Sequence, residues 1–172
     1  MEQILLPIGK LEAAENAKLE DIKGWLAQIE TYTTRLRETL DGITEEDYLK
    51  TYREGAWNVR QLVHHIADSQ LNMYQRLKLA LTDDFPTVPA FDENKWAVQP
   101  DTTLPAEVSI KMLEAINERV VALGKTLTLD QLEQGFNHEV NGKVTVAMKV
   151  KKLAWHAEHH LAHIKIALGK WN

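Results

Sequence analysis

The chain predicts an all-α fold, a four-helix bundle with long connections and a small hairpin, and three observations carry that expectation. Four stretches repeat apolar residues at threes and fours, the period of an amphipathic helix. Each stretch is bracketed by Asp, Asn, Thr, Pro or Gly where helices start and stop. The 172 residues suit one domain over 1–172 with its own core. Bundles build their sites from side chains on facing helices.

Residues 1 to 13 read as an extended lead-in, because Pro7 and Gly9 interrupt helix. From Ala14 to Leu40 the apolar set is Leu19, Ile22, Trp25, Leu26, Ile29 and Leu36, and Asp41-Gly42 stops it. Thr44 to Leu49 allows one short turn. Asn58 with Gln61 three residues later forms a capping box that opens a helix running to Thr82. Its stripe is Val59, Leu62, Val63, Ile66, Met73, Tyr74, Leu77 and Leu81.

Residues 83 to 104 form a Pro- and Asp-rich connection with room for one turn between Asp92 and Val98. A connection that long inside a compact domain is usually functional or a cover. A third helix is expected from Pro105 to Leu123, closed by Gly124. Thr128 and Gln131 mark a short capped helix ending at Gly135, and Asn141-Gly142 signals a type I′ hairpin within Phe136 to Val144. The last helix starts at Thr145 as N-cap and ends before Gly169.

Composition removes several function classes. A net charge of −5 and a pI near 5.8 give no basic face for nucleic acid. With no cysteine, disulfide scaffolds, thiolate metal sites and a cysteine nucleophile are excluded. No apolar run reaches the length of a membrane span and no secretory leader is evident, so a cytoplasmic location is the expectation. Phosphate loops, the GxSxG elbow and HExxH are missing.

The chemistry concentrates in histidine. Four of the seven histidines fall between His156 and His163 on the last helix, and imidazole is the commonest metal ligand. On an ideal wheel His160 lies about 60° from the centre of the apolar stripe, His156 about 100°, His163 about 120° and His159 about 160°. The pair nearest the core, spaced i and i+4, is His156 and His160. His159 is expected to be solvated, and His163 to be a fourth ligand or a partner to the ligands. A third ligand is expected from His64-His65, which flank the second helix's stripe at about 140° and 120°, too alike for the wheel to choose.

Three protein ligands on a divalent metal leave a position for water or substrate. Asp68 and Ser69 lie within a turn of His65, and Asp68 is the candidate proton carrier, with a supporting partner to the ligands or a fourth ligand as its other readings. Glu158 falls on the polar side of its helix, and His138 sits in the hairpin. Trp57, Trp96 and Trp155 read as packing residues or pocket walls.

With these residues in place, the chain resembles the DinB-like superfamily and, within it, the YfiT group of metal-dependent hydrolases. The matching segments are Pro7-Ile-Gly-Lys10, Trp57 to Ser69, Lys78 to Thr82, Phe91 to Ala97 and Trp155 to Ile164, spread over nearly the whole chain. The resemblance implies a four-helix bundle, a homodimer, and one zinc or nickel ion per subunit on three histidines. Matched block by block, the ligands are His65, His156 and His160. Relatives implied by the resemblance include S-transferases that use low-molecular-weight thiols such as bacillithiol, alongside hydrolases acting on small molecules. One departure stands out. Where the family often carries a LeuHisXaaArgTrp-like segment, this chain has Ile116-Asn117-Glu118-Arg119-Val120. The expected function is therefore a metal-dependent enzyme activating a thiol or a water. The alternative from another class is a non-catalytic metal-binding protein.

Overall fold

A computed structural model describes residues 2–171 of the chain. Seven helices and three short strands follow in the order α1 (Glu2–Leu5), α2 (Leu19–Leu40), α3 (Val59–Thr82), β1 (Thr87–Val88), α4 (Glu93–Trp96), α5 (Ala106–Gly124), α6 (Leu129–Leu132), β2 (Gly135–His138), β3 (Gly142–Thr145) and α7 (Val146–Ala167). Two 3₁₀ turns, Asp47–Leu49 and Pro100–Thr103, punctuate the connections.

The long helices α2, α3, α5 and α7 make the bundle, and their order around it is not the order of the chain. The principal contacts are α3 with α5, α3 with α7, α2 with α5 and α2 with α7. The successive helices α2 and α3 therefore sit on a diagonal. The connection between them, residues 41–58, crosses the end of the bundle, held by a bridge between Thr51 and Asn58.

Where capping chemistry is present, helix starts fall where the sequence puts them. Asn58 accepts from the Gln61 amide and the Gln61 side chain accepts from the Asn58 amide, closing the expected box. Thr145 likewise accepts from Met148 N. Thr128 opens the one-turn α6.

Four expectations change. The lead-in holds a single helical turn, α1, ahead of Pro7. Helix α2 begins at Leu19 rather than Ala14, because Asn16 takes a left-handed φ of 56° and Asp21 caps the Lys18 amide. Gly124 is the last residue of α5, and the reason for glycine is space: a Cβ there would lie 2.5 Å from Leu26 Cδ2, where α5 meets α2. The hairpin is not type I′. His138 pairs with Gly142 across three residues, and of Asn141 and Gly142 only Gly142 has positive φ, whereas type I′ needs both. The hairpin also gains a partner, since β1 pairs parallel to β2 through Thr87–Asn137 and Val88–His138. Two residues of strand carry no readable period.

The core lies in two lobes. One gathers Ile22, Leu26, Ile29, Leu77, Val120, Phe136 and Leu153. The other gathers Tyr32, Leu36, Leu62, Ile66, Leu113 and Leu161. Buried polar side chains sit among them: Thr33, His65, Ser69, Gln70, Asn117 and His156. Gln70 Nε2 donates to Asn117 Oδ1 at 2.8 Å. The departure at Asn117 is thus an interior amide pair between α3 and α5, and Val120 beside it is fully buried.

Tyr32 supplies a test of this interior. It is 1% exposed and its hydroxyl has no protein partner. A buried hydroxyl without a partner costs about 1–3 kcal/mol. Tyr32→Phe is expected to raise the thermal midpoint by a few degrees, about 2–4 °C per kcal/mol at this chain length. A lowered midpoint in a calorimetric scan would show that the hydroxyl is satisfied.

Candidate metal centre

His65 on α3 and His156 and His160 on α7 converge, with one ring nitrogen of each within 4.8 Å of the others. His65 Nε2 and His156 Nε2 stand 3.2 Å apart, and the His65 ring meets the His160 ring edge-on at 4.8 Å between centroids. Trp57 packs on His65 at 4.5 Å, and Ser69 Oγ lies 3.4 Å from His65 Nε2. Among the described residues no carboxylate joins this group.

Burial decides the protonation state. It pushes His65 down to about 4. It pushes His156 and His160 well below the ordinary imidazole value, and the neighbouring histidines add to the shift. All three rings are neutral near pH 7, and neutral imidazole is the ligating form. His156 Nδ1 is buried without a partner, and its Nε2 faces the His65 nitrogen. Two nitrogens whose lone pairs meet at 3.2 Å need either a proton or a cation between them. The donor set therefore fits a divalent ion that accepts imidazole, as zinc and nickel do.

The neighbouring histidines divide by how their nitrogens are used. His64 Nε2 donates to the Leu104 carbonyl at 2.9 Å, which leaves Nδ1 to accept from Ser109 at 2.7 Å. Both of its nitrogens are spent on the 83–104 connection and α5. A second group, His159, His160 and His163, also lies within 4.8 Å. In it, His163 Nε2 donates to the Ile4 carbonyl at 3.0 Å, so Nδ1 faces His160 Nδ1 at 3.4 Å as an acceptor. His163 is stacked on Tyr52 at 3.9 Å. It contacts His160 at Nδ1, which suits it to orienting that ring.

His159 corrects the sequence reading. It is 8% exposed, not solvated, because Trp155 stacks flat on it at 4.6 Å and His163 meets it at 4.3 Å. The wheel measures angle from the apolar stripe and knows nothing of the segment before Leu19, whose Ile4 lies over this face.

Asp68 lies outside both histidine groups. Its carboxyl is half-buried and pushed up to about 6 by desolvation, with Asp101 adding to the effect. Glu158 pairs with Arg35 of α2 across the bundle surface, with one contact at 2.8 Å. Trp96 packs on Phe91. A cavity of about 680 Å³ lies between α2 and α7 beside Trp25, Arg35 and Trp155, and none of the three converging histidines borders it. Donor chemistry, not volume, locates the centre.

The 83–104 connection lies along α3 and is tied to it at several points. Gln61 donates to the Ala97 carbonyl at 3.1 Å, His64 to Leu104, and Arg76 to the Pro89 carbonyl at 2.6 Å. It covers the α3 face that carries His65, as its length leads one to expect.

Comparison with known proteins places the chain in a family. The sequence profile of the DinB superfamily matches residues 28–164. The chain is 68% identical over 166 residues to a protein of Oceanobacillus iheyensis named "Putative metal-dependent hydrolase OB0413", covering 96% of each. It is 42% identical over 162 residues to "Putative metal-dependent hydrolase BH0277" of Halalkalibacterium halodurans, covering 94% of this chain and 95% of that one. Among solved structures it is similar to YfiT from Bacillus subtilis, described as a "probable metal-dependent hydrolase with an unusual four-helix bundle topology". That match has a TM-score of 0.92 and 31% identity over 99% of each chain. With four-fifths of its length inside the profile and a bundle that superposes end to end, the chain belongs to the DinB superfamily.

Proposed function

We propose that this protein is a metal-dependent enzyme whose divalent ion, zinc or nickel, is held by His65, His156 and His160. The observation that carries the reading is the convergence of three neutral imidazoles from two helices, two buried and one partly buried, with no fourth histidine or carboxylate in the group among the described residues. Three protein ligands and an open position are the pattern of catalytic rather than structural sites. When bound, such an ion supplies Lewis acidity that lowers the pKa of a thiol or water beside it.

The chain's own residues would do the rest. His163, bonded to the Ile4 carbonyl, holds the His160 ring by its outer nitrogen. Trp57 and Ser69 flank His65. Asp68, one turn along α3 from His65, would take the proton from the nucleophile: with its carboxyl near 6, it is a base above that pH and loses the capacity as pH falls through it.

We favour transfer of a low-molecular-weight thiol to an electrophile. A thiol is readily deprotonated by a divalent ion, and the chain has no cysteine of its own to serve as the nucleophile. Hydrolysis is the second reading, favoured by the names of the relatives. A homodimer is the assembly we propose, on the resemblance alone, and the cytoplasm is the default location the sequence leaves. Among the described residues no helix is long and apolar enough to cross a membrane.

The test is a panel of thiols with monobromobimane, run beside a panel of esters, on metal-loaded and chelated protein. Metal-dependent thiol conjugation whose rate falls below about pH 6, with that limb lost in Asp68→Asn, is the expected result. Metal-dependent ester cleavage without thiol conjugation would move the assignment to hydrolysis. No metal-dependent rate on either panel would leave a metal-binding protein without this chemistry.

A further inference from the structure

A second group of side chains lies along the same two helices, and the chemistry above does not use it. Lys149 on α7 is 2% exposed and Arg76 on α3 is 9% exposed, and Lys152 is half-buried between α7 turns. None of the three is in an ion pair among the described residues. The Lys149 ammonium has the Phe136 ring at 5.1 Å. Arg76 has a single protein acceptor, the Pro89 carbonyl.

The cost of this arrangement is legible in the groups themselves. Burial, with Lys152 and Arg76 adding to it, pushes the Lys149 ammonium down to about 7. Lys152 is lowered by the same causes, burial first and then Arg76. Glu93 is the carboxylate that offsets part of this at Lys152 and Arg76. It is exposed and forms no ion pair with either. His138 on β2 is within electrostatic reach of all three cations. Its Nδ1 accepts from the Val140 and Asn141 amides, so its Nε2 carries a hydrogen and can donate. Buried like charges without a counter-charge are expensive. Here three cationic groups and one neutral donor gather with Glu93 and Glu139 in electrostatic reach, but no carboxylate forms an ion pair with any of the three cations among the described residues.

Their register relates them to the histidines. Lys149, Lys152 and His156 are spaced i, i+3 and i+7 on α7, and His65, Ser69 and Arg76 are spaced i, i+4 and i+11 on α3, each set along one face. The helices run antiparallel, so both faces lead from the histidines to the cations. At 1.5 Å per residue the offset is about 10 Å on α7 and about 16 Å on α3, less the reach of the long side chains.

We propose that Lys149, Arg76 and Lys152 form an oxyanion subsite, which binds a carboxylate or phosphate group of the substrate whose reacting end lies at His65, His156 and His160. The substrate class is thus an extended anionic molecule, with its charge about 10 Å from the reacting atom. Arg76 supplies a planar fork suited to an oxyanion, and Lys149 and Lys152 supply point charges. The place of the subsite in a substrate rests on the metal-centre reading, but oxyanion binding does not, and the test separates the two.

The experiment is isothermal titration of the full chain with succinate and, separately, with inorganic phosphate, at constant ionic strength set with chloride, on metal-free and metal-loaded protein. Saturable binding of one of them is expected in both forms, and the tighter of the two identifies the group as carboxylate or phosphoryl. Lys149→Met and Arg76→Gln should each weaken it about 10- to 100-fold, the effect of losing a charge-assisted hydrogen bond, while His65→Ala leaves it unchanged. Lys149→Met removes a buried charge and should fold at least as well, with a thermal midpoint that no longer rises with the anion. Neither anion binding wild type above chloride, or undiminished binding in both cation variants, would overturn the proposal. Failure of metal loading with anion binding intact would overturn only the metal centre.

Discussion

Alanine at His65, His156 or His160 is expected to strip the bound divalent ion from the protein after dialysis, as read by elemental analysis. Each imidazole is one of three convergent donors, and the group has no spare among the described residues. Loss of a mere supporting partner costs about 10–100-fold in metal affinity, and loss of a donor should exceed that. A second readout is linkage. An ion bound only to the folded state adds about 2.7 kcal/mol at a hundred times its dissociation constant. A chelator should therefore lower the wild-type midpoint and leave those of the three variants in place. His64→Ala and His159→Ala are the controls. Both should keep their metal while losing stability, the first through Ser109 and Leu104, the second through the stack with Trp155. Equal metal in all five variants would end the ligand assignment.

Leu77→Ala is expected to be among the most destabilising single truncations that leave the metal alone. Leu77 is fully buried in the lobe built on α2, α3, α5 and α7, with Ile29, Val120 and Leu153 in the same cluster. Large-to-small changes at such positions cost about 2–5 kcal/mol, the spread reflecting how far the cavity collapses. For a chain of this length that is about 5–20 °C in midpoint. It lies twelve residues from His65 on the same helix, so metal content should match wild type. A loss of unfolding free energy below about 1 kcal/mol in urea titration would show that this lobe repacks freely, contrary to the density of a native interior.

The two predictions mark what different kinds of information supply. Leu77 is legible in the sequence because burial in a helical bundle leaves a period: a stripe at threes and fours is forced by the geometry of one helix. The capping boxes at Asn58 and Thr128 and the N-cap at Thr145 are legible for a similar reason, since their hydrogen bonds span three residues. The pair His156 and His160 could be picked by angle on one helix. The fate of His159 could not, because Trp155 and the segment before Leu19 bury a face the wheel calls polar.

Sequence by itself determined four long helices, the starts that caps fix at Asn58 and Thr145, the three histidines singled out by pattern and resemblance, and the absence of any cysteine chemistry. Tertiary structure decided the rest. It put α2 and α3 on a diagonal, spent both nitrogens of His64 on Leu104 and Ser109, and set Asn117 against Gln70. It also gathered Lys149, Lys152 and Arg76, none of them in an ion pair among the described residues. The physical reason is range. Periodicity and capping are set by neighbours within about one or two turns, whereas ligand convergence, hydrogen-bond partners and charge balance depend on residues from different helices that only the packed chain brings together.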